Sequence, residues 1–438
     1  MRYWGLAGLG AILCAASAPA LAQAAAKPDT MACPKEVAEL ATCYGAKLPT
    51  GAYVLAAMPK NWNGHLIVFA HGGPSLTPPV ADDSIDDLAK YSIGVRMGYA
   101  WVASTYRKEG YGVRMAADDT DDARKFFIDR VAKPTRTLMH GASYGGLVGA
   151  KLLETYGKNY DGAFFNSGAI GGAELNYQFR VDLAAVYQYY CKNLPGPGDA
   201  QYPFWTGLPL ESKMTMKDVT ARMDTCTGIT KPAAERSPAQ KQNLANILGV
   251  MRFPVRMFVR HMQSATFTLR EVTERMGKGK SAFGNRNVRY RGSNDDAALN
   301  AGIARFDADP AAIATLKADG VPNGTLPIPV VSIHSFNDPQ AAVEAQYEYR
   351  KAATDAGNGA RLVQAYTDED VHTAQSAPEL AASFNALQNW IDKGTKPTAQ
   401  SIAAACTTLA AKYQGPCRYH PDYQPKPYNT RFARAAAQ

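Results

Sequence analysis

Short apolar runs recur along the chain, bounded by polar, Gly or Pro residues, and alternate with stretches whose apolar positions fall at helical spacing. Ala52 to Met58 and His65 to His71 are rich in Val, Leu, Ile and Phe, and are bounded by Pro59 and by Asn61-Trp62-Asn63-Gly64, so they read as strands. Tyr99 to Thr105 is another such run. Asp118 to Val131 has acidic residues in its first turn and apolar positions at helical spacing, and reads as a helix. Arg136 to His140 follows as a strand, Gly146 to Tyr156 as a helix and Gly162 to Asn166 as a strand. The rhythm stops near Ala173. Up to about Pro327 the chain is mostly helical and more polar, with loop markers at Pro195-Gly196-Pro197-Gly198 and Gly277-Lys278-Gly279-Lys280. Asn243 to Met276 holds the longest helical pattern, interrupted at Pro254. The alternation then resumes with strand Ile328 to Ser335, helix Gln340 to Asp355, strand Arg361 to Thr367 and helix Pro378 to Lys393. This order predicts an α/β fold, with a mostly parallel sheet, helices on both faces and a helical cap inserted between two halves of the sheet. The expected units are a core over 23–172 and 328–400, a cap over 173–327 and a tail over 401–438.

Composition refines this picture at the N-terminus. Arg2 precedes an uncharged apolar stretch from Trp4 to Ala16, and Ala20-Leu21-Ala22 offers a small-x-small cleavage site, so 1–22 reads as a signal peptide. Cys14 raises the alternative of a lipoprotein signal, with Leu13 standing where a small residue is normally required. Elsewhere no run approaches the roughly 18 apolar residues of a membrane span. The expected location is therefore secreted or periplasmic. The chain has 438 residues, 46% hydrophobic and 20% charged, with a net charge of +8. Lys and Arg are not clustered, and no nucleic-acid partner is expected.

Of the seven cysteines, Cys14 falls within the signal segment. The others, Cys33, Cys43, Cys191, Cys226, Cys406 and Cys417, form an even set in an exported chain and read as disulfides. Spacing alone leaves several pairings open, and proximity favours Cys33–Cys43, Cys191–Cys226 and Cys406–Cys417. They are not grouped with histidines, so no metal site is expected.

The candidate chemistry begins at Gly141-Ala142-Ser143-Tyr144-Gly145, which fits G-x-S-x-G with a strand before it and a helix after it. A serine in that sharp turn needs flanking glycines, because side chains there would collide. A hydroxyl is a poor nucleophile at neutral pH, so a base and an orienting acid are expected later in the chain. His372 lies in the loop after the strand ending near Thr367 and is favoured as base over His334, inside a strand, and His420, in the tail. Asp338, directly after the strand ending at Ser335, is favoured as acid over Asp368, Asp370 and Glu174, a role compatible with capping the helix that Pro339 would start. The oxyanion would be held by the backbone N–H of Tyr144 and by one from His71-Gly72-Gly73-Pro74. Gly73 is favoured there, with Gly72 next, and His71 is read as an anchor of that turn.

With His71-Gly72-Gly73-Pro74, then G-x-S-x-G, then a helical insertion, then Asp338 and His372 after successive strands, the chain resembles the α/β-hydrolase superfamily over about 51–394. The two motifs look most like those of prolyl-oligopeptidase-type and proline-iminopeptidase-type members, although the region ahead of the first strands is too short for a propeller. The resemblance implies a serine hydrolase that needs no cofactor and cleaves a small-molecule or oligomeric ester through an acyl-serine. A secreted peptidase or aminopeptidase is the alternative, with Glu174, Asp182 and Asp307 as candidates for holding a substrate amino group. A catalytically inactive binding protein on the same fold is a third reading. Tyr187, Tyr189, Tyr190, Trp205, Phe253, Phe258 and Phe267 are expected to line the pocket or to form the core of the cap.

Overall fold

The computed structural model describes Met1 and residues 28–430. The signal-peptide reading, with Arg2 and Cys14, lies outside the described residues. Among the described residues, nine strands form one sheet: β1 Asp29–Met31, β2 Ala41–Lys47, β3 Tyr53–Pro59, β4 His65–Ala70, β5 Ala100–Ser104, β6 Arg136–Ala142, β7 Gly162–Asn166, β8 Val330–Ser335 and β9 Leu362–Thr367. Their spatial order is β1-β2-β3-β5-β4-β6-β7-β8-β9. From β5 through β4 to β9 every neighbouring pair is parallel, while β1, β2 and β3 pair antiparallel at one edge.

The parallel strands are covered on both faces, which is why they read as near-continuous apolar runs. Along β4 the side chains divide by alternation. Leu66, Val68 and Ala70 join the core beneath helices Val113–Arg130 and Tyr144–Tyr156, whereas Ile67 and Phe69 join the core beneath helices Ala377–Lys393 and Ala399–Tyr413. The register pairs Ala70 with Gly141, Ala142 with Asn166 and Ser335 with Thr367, so the C-terminal ends of β4, β6, β7, β8 and β9 form one edge.

Between β7 and β8 the chain forms no strand and runs through helices from Ala173–Cys191 to Pro310–Gly320. Their apolar side chains, Val181, Leu183, Phe258 and Leu269 among them, are continuous with the core on the Tyr144–Tyr156 side of the sheet. Cys191–Cys226 joins the first helix of this segment to helix Met216–Thr227. Cys33–Cys43 ties the chain before β2 to that strand, and Cys406–Cys417 ties helix Ala399–Tyr413 to the stretch after it. Among the described residues, no helix is long and apolar enough to cross a membrane.

Several elements depart from the sequence expectations. The helix expected from Asp118 starts at Val113, because the Asp319 carboxylate accepts the N–H groups of Val113 and Arg114 at 2.9 and 3.1 Å. That cap comes from far along the chain and leaves no local signal. The helix expected from Gln340 starts at Glu344, since a tight turn at Asp338 occupies the intervening residues. The stretch beyond Gln400 continues helix Ala399–Tyr413, whose N-terminus carries a reciprocal Thr398–Ser401 cap where a Glu or Gln would have been the stronger sign. β1 and β2 are not among the sequence expectations; Gly45 interrupts the apolar alternation in β2, and β1, the edge strand, is only three residues long.

Candidate active site

Ser143 stands between β6 and helix Tyr144–Tyr156 with φ 57° and ψ −122°, a left-handed conformation that costs a non-glycine residue about 1–3 kcal/mol. Neighbouring backbone holds it there. Its N–H donates to the Asn166 carbonyl at 3.2 Å, and its carbonyl accepts from Gly146 and Ala169 at 3.0 and 2.9 Å. The turn is so tight that a Cβ on Gly141 would lie 2.3 Å from the Gly145 carbonyl oxygen, and one on Gly145 would lie 2.0 Å from that of Ala70. Both positions therefore require glycine.

The loop after β9 carries His372 and the turn after β8 carries Asp338, and the sheet edge brings both to Ser143. His372 Nε2 is 2.7 Å from Ser143 Oγ, and His372 Nδ1 lies 2.7 and 2.9 Å from the two oxygens of Asp338. Asp338 is fully buried as a side chain. Its Oδ1 also accepts from the N–H groups of Gln340 and Ala341 at 2.8 and 2.9 Å. Burial pushes this carboxyl up, but the charge and hydrogen bond of His372, the charge of His334 and the Ala341 N–H together hold it down at about 2. An ionised Asp338 accepting Nδ1–H leaves the Nε2 lone pair facing the Ser143 hydroxyl, the arrangement that lets a serine lose its proton as it attacks.

Two further contacts fix the histidine loop to the Asp338 turn. Ser335 Oγ donates to the Glu369 carbonyl at 2.6 Å, and Asn337 Nδ2 donates to the Asp368 carbonyl at 2.9 Å. Lys90, from helix Asp83–Lys90, donates to Thr373 Oγ1 at 2.5 Å. None of these three tethers was foreseen, because each joins residues whose proximity depends on sheet order. The competing histidines are engaged elsewhere. His334 is buried, accepts from Gln346 Nε2 at 3.0 Å and donates to the Ala341 carbonyl at 2.9 Å; burial lowers its proton affinity. His420 Nε2 pairs with Asp368 at 2.9 Å.

The His71-Gly72-Gly73-Pro74 turn passes directly beside the serine: a Cβ on Gly72 would lie 3.8 Å from the Ser143 Cβ. Gly73 has φ 132°, reachable at little cost only without a side chain. The His71 ring bonds to Asp87, and its carbonyl accepts from Tyr106 Oη at 2.8 Å. Burial lowers the His71 imidazole's proton affinity, but the bond to Asp87 and the charges of Asp87 and Asp83 raise it overall. Tyr144 heads its helix, where first-turn N–H groups lack an intrahelical partner.

A cavity of about 280 Å³ opens at Ser143, His372, Gly73 and Tyr144. Tyr111, Tyr144 and Tyr177 build its aromatic wall, and Arg180 and Arg260 bring two guanidinium groups to it. Of the two readings of the seven aromatic residues, the core one holds: Tyr187, Phe253, Phe258 and Phe267 are buried in the apolar core, Tyr189, Tyr190 and Trp205 pack against it, and none lines this cavity. Glu174, Asp182 and Asp307 are also absent from the lining. They pair with Lys317, Tyr290 and Arg286 respectively. A second cavity of about 210 Å³ lies across Ser143 and His372, with Gly72, Asp87, Lys90 and Thr373 in its wall. Among the described residues, no group of three or more His, Cys, Asp or Glu could hold a metal ion.

No family model and no curated protein matches this sequence. Among solved structures, the chain is similar to an esterase from Aspergillus oryzae at 13% identity, covering 82% of this chain and 80% of that one, with a TM-score of 0.47. It is similar to feruloyl esterase B from Aspergillus oryzae at 14% identity, over 82% of each chain, with a TM-score of 0.43. For Candida antarctica lipase A in its closed state the identity is 12%, the coverage 84% and 82%, and the TM-score 0.43. The strand order, the strand–turn–helix at Ser143 and the loops after β8 and β9 that meet it on one sheet edge give this chain the α/β-hydrolase fold.

Proposed function

We propose that this chain is a serine hydrolase that cleaves carboxylic esters, with Ser143 as nucleophile, His372 as general base and acid, and Asp338 as the group that orients and charges the imidazole. The observation that carries this reading is the unbroken hydrogen-bond path from Ser143 Oγ through His372 to Asp338. As Ser143 Oγ bonds to the substrate carbonyl carbon, its proton passes to His372 Nε2, and Asp338 stabilises the imidazolium. The backbone N–H groups of Tyr144 and Gly73 would take the charge on the carbonyl oxygen; one such donor is worth about 3 kcal/mol of barrier. The alcohol then leaves with the proton from Nε2, and water repeats the sequence on the acyl-serine.

The lining of the main cavity favours esters over N-terminal peptide trimming. An aminopeptidase must hold a substrate ammonium; no carboxylate among the described residues lines that cavity, and Asp87 in the wall of the second one is bonded to the His71 ring. The three disulfides support work in an oxidising compartment outside the cytoplasm. Purified protein assayed on p-nitrophenyl esters of increasing acyl length and on aminoacyl p-nitroanilides tests the reading. Ester hydrolysis is expected, with kcat lowered at least about 10⁴-fold in Ser143→Ala. Unaltered activity in Ser143→Ala would overturn the mechanism, and cleavage of the anilides alone would overturn the ester assignment.

A further inference from the structure

Arg180 projects from the first helix after β7, Ala173–Cys191, into the wall of the main cavity. Its guanidinium lies 5.3 Å from the ring centres of both Tyr177 and Phe179. Nε donates to His261 Nδ1 at 3.3 Å and Nη2 donates to the Gln340 carbonyl at 3.3 Å. Neither acceptor is a carboxylate. Arg260 also lines the cavity and donates through Nε to Gln340 Oε1 at 3.2 Å. Neither arginine has an ion-pair partner among the described residues.

Five other arginines of the same helical segment have a carboxylate partner. Arg222 pairs with Asp199, Arg270 and Arg275 with Glu271, Arg286 with Asp307 and Arg256 with Asp370. Arg236 and Arg305 instead donate to backbone carbonyls. At the cavity, two cations stand near each other with no carboxylate between them. Burial lowers the Arg180 guanidinium from its ordinary value and the charge of Arg260 lowers it further, with only tyrosines acting the other way. A largely buried guanidinium without a counter-ion is destabilising, and Arg180 lines a cavity. An anion entering from solvent would relieve the repulsion and accept from the guanidinium.

Gln340 couples this feature to the reacting centre. Its N–H donates to Asp338 Oδ1, its carbonyl receives Arg180 and its side chain receives Arg260. The turn that positions the triad acid thus positions both guanidiniums.

We propose that Arg180, assisted by Arg260, binds a free carboxylate on the substrate, so that the preferred ester carries a negative charge on the arm that enters the aromatic-walled cavity. This rests on the hydrolase reading of Ser143, and it names the substrate class that reading leaves open. The planar guanidinium fork suits a carboxylate, and Tyr111, Tyr144 and Tyr177 would contact the apolar part between that carboxylate and the ester carbonyl.

Matched esters differing only in the charge test it. Mono-p-nitrophenyl adipate against p-nitrophenyl hexanoate places the charge on the acyl arm. 4-Carboxyphenyl butyrate against its methyl ester places it on the alcohol arm. In wild type, kcat/KM is expected to favour the carboxylate member of one pair at least tenfold. Arg180→Met should reduce that ratio about 10- to 100-fold, and Arg260→Gln, at an exposed position, by a smaller factor. Equal rates within both pairs, or a ratio unchanged in Arg180→Met and Arg260→Gln, would overturn the proposal. If no ester is cleaved, the hydrolase reading fails while the binding claim is still decided. Adipate titrated calorimetrically into Ser143→Ala should then bind saturably and at least tenfold more weakly in Ser143→Ala/Arg180→Met, and absence of binding would overturn it.

Discussion

Asp338 carries two loads, and they separate by substitution. Its carboxylate orients His372 and also accepts the N–H groups of Gln340 and Ala341. Asn keeps an acceptor for the turn but presents a neutral amide to the imidazole. Asp338→Asn is expected to lower kcat about 10⁴-fold and, at neutral pH, to lose the stability of the ionised carboxylate while keeping the turn. Asp338→Ala should lose similar activity and a further 1–3 kcal/mol or so of stability, because buried donors are left unpaired. Ester kinetics and thermal unfolding of the two variants check this. The same residue sets an acid limit. Its carboxyl is held at about 2 in the fold against 3.8 ordinarily, so the stability it contributes is present above the ordinary value and lost as pH falls through about 2. Unfolding curves recorded from pH 5 to pH 2 should therefore decline less steeply for Asp338→Asn than for wild type.

At the scale of elements, the turn between β6 and helix Tyr144–Tyr156 is where space is tightest. Gly145→Ala drives a Cβ into the Ala70 carbonyl on β4, and central-strand backbone cannot move aside cheaply. A loss of about 1–3 kcal/mol in urea unfolding is expected, together with near-complete loss of activity, since any relief shifts Ser143. Gly198→Ala meets nothing within 4 Å and should stay within about 0.5 kcal/mol of wild type, which separates crowding from a generic glycine effect. The Cys191–Cys226 bond joins helices Ala173–Cys191 and Met216–Thr227, the first of which carries Arg180. A Cys191→Ser/Cys226→Ser double variant should lose about 2–4 kcal/mol and become cleavable by protease within 173–320 before the sheet is cut.

Across the whole molecule, one buried pair of carboxyls links the histidine loop to the C-terminal region. Glu369 sits three residues before His372, and burial, then the charge of neighbouring Glu379, push its carboxyl up to about 7. Glu379 lies in the first turn of helix Ala377–Lys393 and accepts the Arg418 N–H at 2.6 Å, next to the Cys406–Cys417 bond. A folded value above the ordinary 4.5 means that the fold favours the neutral acid. Its contribution is therefore full below about 4.5 and is lost as pH rises through about 7. Glu369→Gln, neutral at every pH, should melt close to wild type at pH 5 and above it at pH 8. Equal pH dependence of the two melting temperatures would refute a raised Glu369.

The sequence by itself determined what depends on near neighbours along the chain. Gly141 could be read because its Cβ would meet the Gly145 carbonyl four residues on, whereas the need for Gly145 comes from Ala70 on β4. Asp338 and His372 could be read because each directly follows an apolar run that becomes a parallel strand, and parallel strands present their C-terminal ends to one edge. Cysteine proximity likewise foreshadowed the three disulfides. Tertiary structure decided what depends on residues far apart in sequence. It placed Tyr111, Tyr144 and Tyr177 in the cavity wall, while Tyr187, Phe253, Phe258 and Phe267 of the helical segment went into the core away from the cavity. It capped helix Val113–Arg130 with Asp319, and it left Arg180 and Arg260 without a carboxylate while neighbouring arginines acquired one. An arginine's charge is written in the sequence. Whether that charge is spent on a partner or kept for a ligand is settled only when distant elements close around it.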